Sequence, residues 1–376
     1  MMMIKTWCCD FNRVPDAAPT DYNDQAIVQR TYNDMLDRLA KLDDSGFEGV
    51  FFAEHHFIKS LMPVPNLLIA ALAQRTRRIK IGVLGNVLPF HQPWRLAEEI
   101  ATLDYLTEGR LEIGVSSGVP FEFDFVNIDP DDVRPIYGEI LEILDLAMQD
   151  EIVNFEGKYF KFKDVPIMPR PREEIRRRRW MSLYSTATAE RAATRGYKIC
   201  SAYQSVETCR GLTEAYMAKA DEAGVRVSAD DIAVRRQVLV CETDAEAAEQ
   251  KEKLLAANAE QTARMFAAAL DRHDATKAKV SDDIKNSGVL DAAAPSHGPN
   301  STTGGPRGLP MPALMSDDEY IFGSPTTVAE IIINQCRGMG GNNMIAFHPH
   351  SLDRDGVRKL YEKMWPKVHD ILAKAA

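Results

Sequence analysis

The sequence predicts an α/β fold, a (β/α)8 TIM barrel with insertion loops, on three observations. Apolar runs rich in Val, Ile and Phe alternate with amphipathic stretches from end to end, as parallel strands covered by crossover helices do. Eight such runs can be counted, the number that closes a barrel. The 376 residues, 45% of them apolar, suit one large barrel as well as two or three smaller units. We take 1–376 as a single barrel domain.

The first strand is expected at 4–11, followed after a polar loop by a helical pattern over 32–44 that stops at Gly46. Residues 49–53 form the second strand and 66–74 its helix. The third strand, 79–84, precedes a helix over 93–106, where Pro93 suits a first turn. The fourth strand is 110–115, and its helix runs from 134 to 148 with Ile136, Ile140, Leu144 and Ala147 on one face. The second half repeats the rhythm. Strand 180–184 precedes helix 189–195, strand 198–202 precedes helix 208–223, and strand 233–240 precedes a helical stretch from 245 to about 270. A helix over 327–337 leads into the last strand, 344–347.

Two segments break the rhythm. Residues 151–179 read as a small hairpin followed by a Pro- and Arg-rich loop. Residues 281–319 contain the Gly/Pro/Ser/Thr stretch 298–306, which cannot bury a face, and are expected to form a mobile lid loop.

Composition excludes several classes. Against 45 Lys+Arg stand 55 Asp+Glu, and a net charge of −10 argues against nucleic acid as a partner. No run approaches the roughly 18 to 20 apolar residues of a membrane span, and the chain start does not read as a signal peptide, so the cytoplasm is the expected compartment. Cys8, Cys9, Cys200, Cys209, Cys241 and Cys336 include no C-x-x-C pair and read as reduced thiols filling the core.

Four features carry chemistry. Phe51-Phe52-Ala53-Glu54-His55-His56-Phe57 ends the second strand, where alternation lets at most one of His55 and His56 face the barrel mouth. An imidazole beside Glu54 can be held in one tautomer for acid/base work, although an isolated strand histidine is often structural. His348-Pro349-His350 ends the last strand and could join His55 or His56 and Glu54 around a metal; strands five and six add no ligand, and we expect none. The hydroxyl-rich run Ser182 to Thr188 enters a helix, whose N–H groups and Ser/Thr hydroxyls could bind phosphate, or where Ser185 or Thr186 simply caps. Finally, Gly85 and Asn86 interrupt the apolar run 81–89, as a turn or as a close approach to a flat ligand. Gly338-Met339-Gly340-Gly341 matches neither dinucleotide nor P-loop patterns, so no built-in dinucleotide fold is expected.

Taken together, several segments resemble the bacterial luciferase-like flavin monooxygenase family over most of the chain. The carriers are Ala53 to Phe57, Ile81-Gly82-Val83 through Leu88-Pro89 and Pro93, Leu103-Asp104 with Glu108 to Val115, Phe155 to Phe160, and Phe322 to Val328. The resemblance implies a (β/α)8 barrel and two-component chemistry. Reduced FMN would come from a separate NAD(P)H:flavin reductase, and O2 would be activated as a C4a-peroxide to oxygenate a small organic substrate. It places the active-site histidine on His55, with Glu54 beside it, and a non-prolyl cis peptide on Leu84-Gly85 next to Asn86. The flavin-phosphate hydroxyls fall on Ser185 and Thr188. Tyr184 replaces an acidic residue of the family, Ser116 its reactive cysteine and Ser117 its phosphate-binding arginine, so FMN affinity should be modest. An apolar mouth of Phe52, Phe57, Leu84 and Val119 would exclude water. A homodimer is expected. The competing readings are an F420 (deazaflavin)-dependent oxidoreductase on the same barrel, a catalytically silent flavin-binding subunit, and a metal-dependent hydrolase.

Overall fold

The computed structural model describes residues 3–11, 24–58, 60–257, 316–349 and 352–375. Eleven strands are described: β1 (Lys5–Asp10), β2 (Gly49–Phe52), β3 (Lys80–Val87), β4 (Leu111–Ser116), β5 (Ile152–Glu156), β6 (Lys161–Pro166), β7 (Arg179–Ser182), β8 (Lys198–Ala202), β9 (Ile232–Val240), β10 (Tyr320–Gly323) and β11 (Asn343–Phe347). Eight of them, in the order β1-β2-β3-β4-β7-β8-β9-β11, pair in parallel and close when β11 meets β1. The barrel is the expected one, and each of the eight predicted runs supplies one of its strands.

β10 was not expected. β9 pairs with β8 only over Ile232 to Arg235, and where β8 has ended β10 pairs with Gln237 to Val240. β9 therefore outgrows its neighbour by half its length, and a second short strand covers the surplus edge.

Helices start close to their signals. Asp24 caps the helix Gln25–Ala40, accepting from Ile27 N at 3.0 Å, so this helix begins about two turns before the apolar pattern. Pro130 opens Pro130–Ala147 in the same way. A short helix, Pro120–Phe125, follows β4 in a stretch to which the sequence assigned no element. Helix 244–257 is described, and its expected continuation to 270 lies outside the described residues. The hairpin within 151–179 is β5 paired antiparallel with β6. Of the expected lid, 281–315 lies outside the described residues; 316–319 forms the turn Asp317–Glu319, in which Glu319 is fully buried.

Two cores follow from strand alternation. On β2, Val50 and Phe52 face outward into the layer shared with the helices, whereas Phe51 and the following Ala53 face the barrel interior. Phe52 thus leaves the expected mouth lining. The barrel floor is plugged by Trp7, stacked on Phe51 at 4.9 Å, and by Trp180, whose Nε1 donates to Glu112 at 2.5 Å. Gly49 makes room for this plug, since a Cβ there would lie 2.2 Å from the Trp7 ring. With the floor filled, chemistry is confined to the opposite end, at the strand C-termini.

Candidate active site

Past Phe52 the chain leaves the ladder, yet alternation persists. Glu54 turns outward and His55 inward, where its ring stacks on Phe11 at 5.9 Å and 17°. The carboxylate that serves His55 is not Glu54, as the sequence suggested. It is Glu122, on the short helix Pro120–Phe125, whose Oε1 lies 3.0 Å from His55 Nδ1 and also accepts from His56 N at 3.1 Å. Glu122 is fully buried while His55 keeps 24% of its side chain exposed. Since Oε1 already accepts from His56 N, the Nδ1–H tautomer of His55 completes the pair and leaves Nε2 as the free ring nitrogen.

Glu54 has a different task. Buried, it accepts from His56 Nε2 at 2.9 Å, His91 Nε2 at 3.0 Å and Val87 N at 2.9 Å, tying the exit of β2 to the exit of β3. Alternation sends it to the outer face with Phe52, away from its sequence neighbour His55. Burial alone would raise the Glu54 carboxyl, but the hydrogen bonds from His56 and His91 outweigh it and hold the group below its ordinary value of 4.5. Burial likewise opposes charge on His56, yet the Glu54 bond wins and its value lies above 6.5. A raised histidine contributes stability that is complete below pH 6.5 and is lost as pH rises through its folded value. A lowered carboxyl contributes above pH 4.5 and loses that as pH falls through its folded value. The thermal midpoint should therefore be highest between these limits and decline on the alkaline side. His56→Gln should flatten that decline; an unchanged profile would remove His56 from the account.

The Leu84–Gly85 peptide is cis. A Cβ on Gly85 would lie 2.7 Å from the Gly114 and Val115 backbone, and one on Gly114 would lie 2.4 Å from Val83 O. The β3 and β4 main chains thus meet without side chains between them, under Leu84, which packs on the interior core. Asn86 Nδ2 donates to Gly114 O at 3.3 Å, bracing the same junction. Ser116 Oγ accepts from Gly118 N at 3.1 Å, closing a turn, and Ser117 is exposed. Phe57 is exposed on the rim and stacks on Phe125 at 4.9 Å.

After β7, Ser185 occupies the N-cap of helix Thr186–Arg195 but makes no side-chain cap bond; its hydroxyl lies 3.1 Å from that of Thr188. Simple capping is thereby set aside for Ser185. Tyr184 stacks on Tyr203 at 6.4 Å and 9°. His348 Nδ1 faces the Tyr361 hydroxyl at 3.3 Å, and His350 lies outside the described residues. Among the described residues no three His, Cys, Asp or Glu side chains converge as metal ligands. A cavity of about 270 Å³ adjoins the mouth, with Phe11, Arg38, Phe347 and His348 in its wall.

Residues 7–341 match the luciferase-like monooxygenase family. The chain belongs to that family. Among its relatives, the uncharacterized protein y4wF of Sinorhizobium fredii is 36% identical over 178 residues, 47% of this chain and 52% of that protein. The 4-hydroxyprotoasukamycin monooxygenase of Streptomyces nodosus subsp. asukaensis is 37% identical over 134 residues, 35% of this chain and 36% of the enzyme. The matched region thus spans about half the length of the first of these relatives and less of the second. Among solved structures, monooxygenase RslO1 from Streptomyces bottropensis superimposes with a TM-score of 0.75 at 23% identity, covering 99% of this chain and 100% of that one. The oxygenating constituent of 3,6-diketocamphane monooxygenase from Pseudomonas putida, in complex with FMN, gives 0.68 at 20% identity, covering 98% and 99%. An F420-dependent secondary alcohol dehydrogenase with an F420-acetone adduct gives 0.66 at 16% identity, covering 98% and 99%. Both flavin and deazaflavin chemistry therefore occur on this fold. No helix among the described residues is long and apolar enough to cross a membrane.

Proposed function

We propose that this chain is the oxygenating component of a two-component FMN-dependent monooxygenase, acting as one barrel unit over 1–376. The observation that carries the reading is the His55–Glu122 pair at the C-terminal end of β2, beside the bare β3–β4 junction at Leu84–Gly85. The close β3–β4 approach at Gly85 and Gly114 puts main chain rather than side chains at that wall, which suits the flat face of an isoalloxazine, and a helix start whose N-cap hydroxyl makes no cap bond suits the phosphate. Leu84, Gly85 and Asn86 would hold the ring, with Tyr184, Ser185, Thr188, Ser116 and Ser117 toward the phosphate end. When bound, the reduced flavin supplies the electrons that activate O2. Glu122 fixes the Nδ1 proton of His55, so Nε2 exchanges a proton with the substrate. Phe11, Phe57, Leu84 and Val119 exclude water from that exchange.

The charge at the phosphate end is light. Hydroxyls and helix N–H groups bind a dianion less strongly than a guanidinium fork, because charge-assisted bonds are roughly twice as strong. The protein should emerge colourless, oxidise no NAD(P)H alone, and bind reduced FMN handed over by a reductase. Ser117→Arg should tighten FMN by about tenfold. Anaerobic titration with reduced FMN, followed by oxygen and product analysis with an external reductase, tests the reading. Uptake of F420 in place of FMN would replace it, and flavin binding without turnover would leave only a silent subunit.

The same reading includes a homodimer. Leu67, Trp94, Tyr105 and Leu106 are exposed at 68%, 40%, 46% and 43% on the adjoining helices Pro65–Ala73 and Pro93–Leu106. Apolar groups at that exposure favour a covered face. Sedimentation should give twice the 42.0 kDa chain mass, and Leu67→Glu should shift it toward monomer. Six buried, unpaired cysteines support a reducing compartment, the cytoplasm.

A further inference from the structure

Arg235 and Arg236 are neighbours on β9 that point to opposite faces. Arg236 is fully buried and every arm is used: Nε donates to Gln335 Oε1 at 2.9 Å, Nη1 to Glu319 Oε2 at 3.2 Å and Nη2 to Gln204 O at 2.9 Å. Arg235 turns into the barrel and stays partly exposed. Its guanidinium carbon lies 4.5 Å from the Tyr203 ring centroid, 5.1 Å from Phe347 and 5.5 Å from Phe11. No carboxylate of the described residues stands within ion-pair distance of it, and its Nε is buried without a hydrogen-bond partner. Glu319, the acid closest in charge to it, has Oε2 committed to Arg236 and to Tyr203 N.

A half-buried cation faced by three aromatic rings and by no carboxylate of the described residues at ion-pair distance is only partly compensated, and its planar fork matches a carboxylate or another planar oxyanion. Phe11 carries Arg235 against its ring and also stacks on His55, so the cation and the proposed proton carrier share one wall. We infer that Arg235 anchors an anionic oxygen group of the substrate, so that the molecule oxygenated here is an organic anion with a flat apolar body lying among Phe11, Tyr203 and Phe347. This deepens the monooxygenase reading and rests on it for the reaction, but the anion site itself does not need the flavin.

Benzoate and its neutral isostere benzamide are suitable probes, titrated calorimetrically into the full chain. Benzoate should bind the wild type, weaken by about tenfold or more in Arg235→Met and Arg235→Gln, and recover partly in Arg235→Lys, while benzamide responds to none of these. Anaerobic affinity for reduced FMN should be the same in all four proteins. Equal binding of the two probes by the wild type, or benzoate binding indifferent to Arg235→Gln, would overturn the inference. So would loss of reduced FMN in the Arg235 variants, which would put the guanidinium on the cofactor. If the wild type takes up no reduced FMN while benzoate still depends on Arg235, the flavin reading fails and the anion site stands.

Discussion

His55→Ala should lower turnover by about 10²-fold or more while the protein still folds and still binds reduced flavin. The ring lies at the mouth, outside the two apolar cores, so the main loss is of a positioned proton carrier. Glu122→Gln should show the same phenotype in milder form, about tenfold, because the amide keeps the shape beside Nδ1 but not the charge that fixes its proton. Steady-state rates with an external reductase, beside thermal unfolding of each variant, measure both. His56→Ala is the control: its ring belongs to the Glu54 tie, so it should cost stability and spare turnover. If His56→Ala silences the enzyme and His55→Ala does not, the orientation at the end of β2 is wrong.

The largest effect on stability is expected at Glu319. Arg236 and Glu319 are both wholly shielded from solvent, and removing one partner of such a pair leaves a buried charge unmatched, at a cost of about 3–5 kcal/mol. Glu319→Ala also frees Tyr203 N from its 3.0 Å bond, and Tyr203 holds the left-handed conformation at φ 66°. A tyrosine there is strained by about 1–3 kcal/mol and stays only because its surroundings insist. Urea unfolding of Glu319→Ala should show the loss, and the double variant Arg236→Met, Glu319→Leu should recover most of it, since apolar groups of similar volume often replace a buried pair without penalty. A double variant no more stable than the single one would show that the pair is not what matters.

The barrel was legible because strands buried on both faces read as continuous apolar runs, and eight of them follow one another with helices between. β10 was not, since four residues paired to half of one strand leave no periodic signal. The site was legible where it follows backbone geometry: Gly85 and Asn86 interrupt a strand, and only one of two adjacent histidines can face inward. It was illegible where partners meet across the chain. Glu122 lies 67 residues from His55, inside Pro120-Phe121-Glu122-Phe123-Asp124-Phe125, where no helical period marks an element. Glu54, by contrast, was assigned to His55 by adjacency, which alternation in a strand undoes. Arg235 and Arg236 carried a usable signal that was passed over. Two arginines side by side in a strand flanked by Ile, Ala and Val must each be answered, one by the helix layer and one by the barrel interior.

The surplus edge of β9 has one more consequence. Cys241 N donates to Gly323 O at 2.9 Å, and Asp244 accepts from Ser324 N at 2.7 Å and Thr327 Oγ1 at 2.9 Å, so the chain leaving β9 is stitched to the chain returning after β10. Barrel closure is complete on either side of that seam. Closing the connection between residues 257 and 316 costs an entropy that grows only slowly with its length, and these bonds, with the buried Arg236–Glu319 pair, hold both of its ends on the barrel.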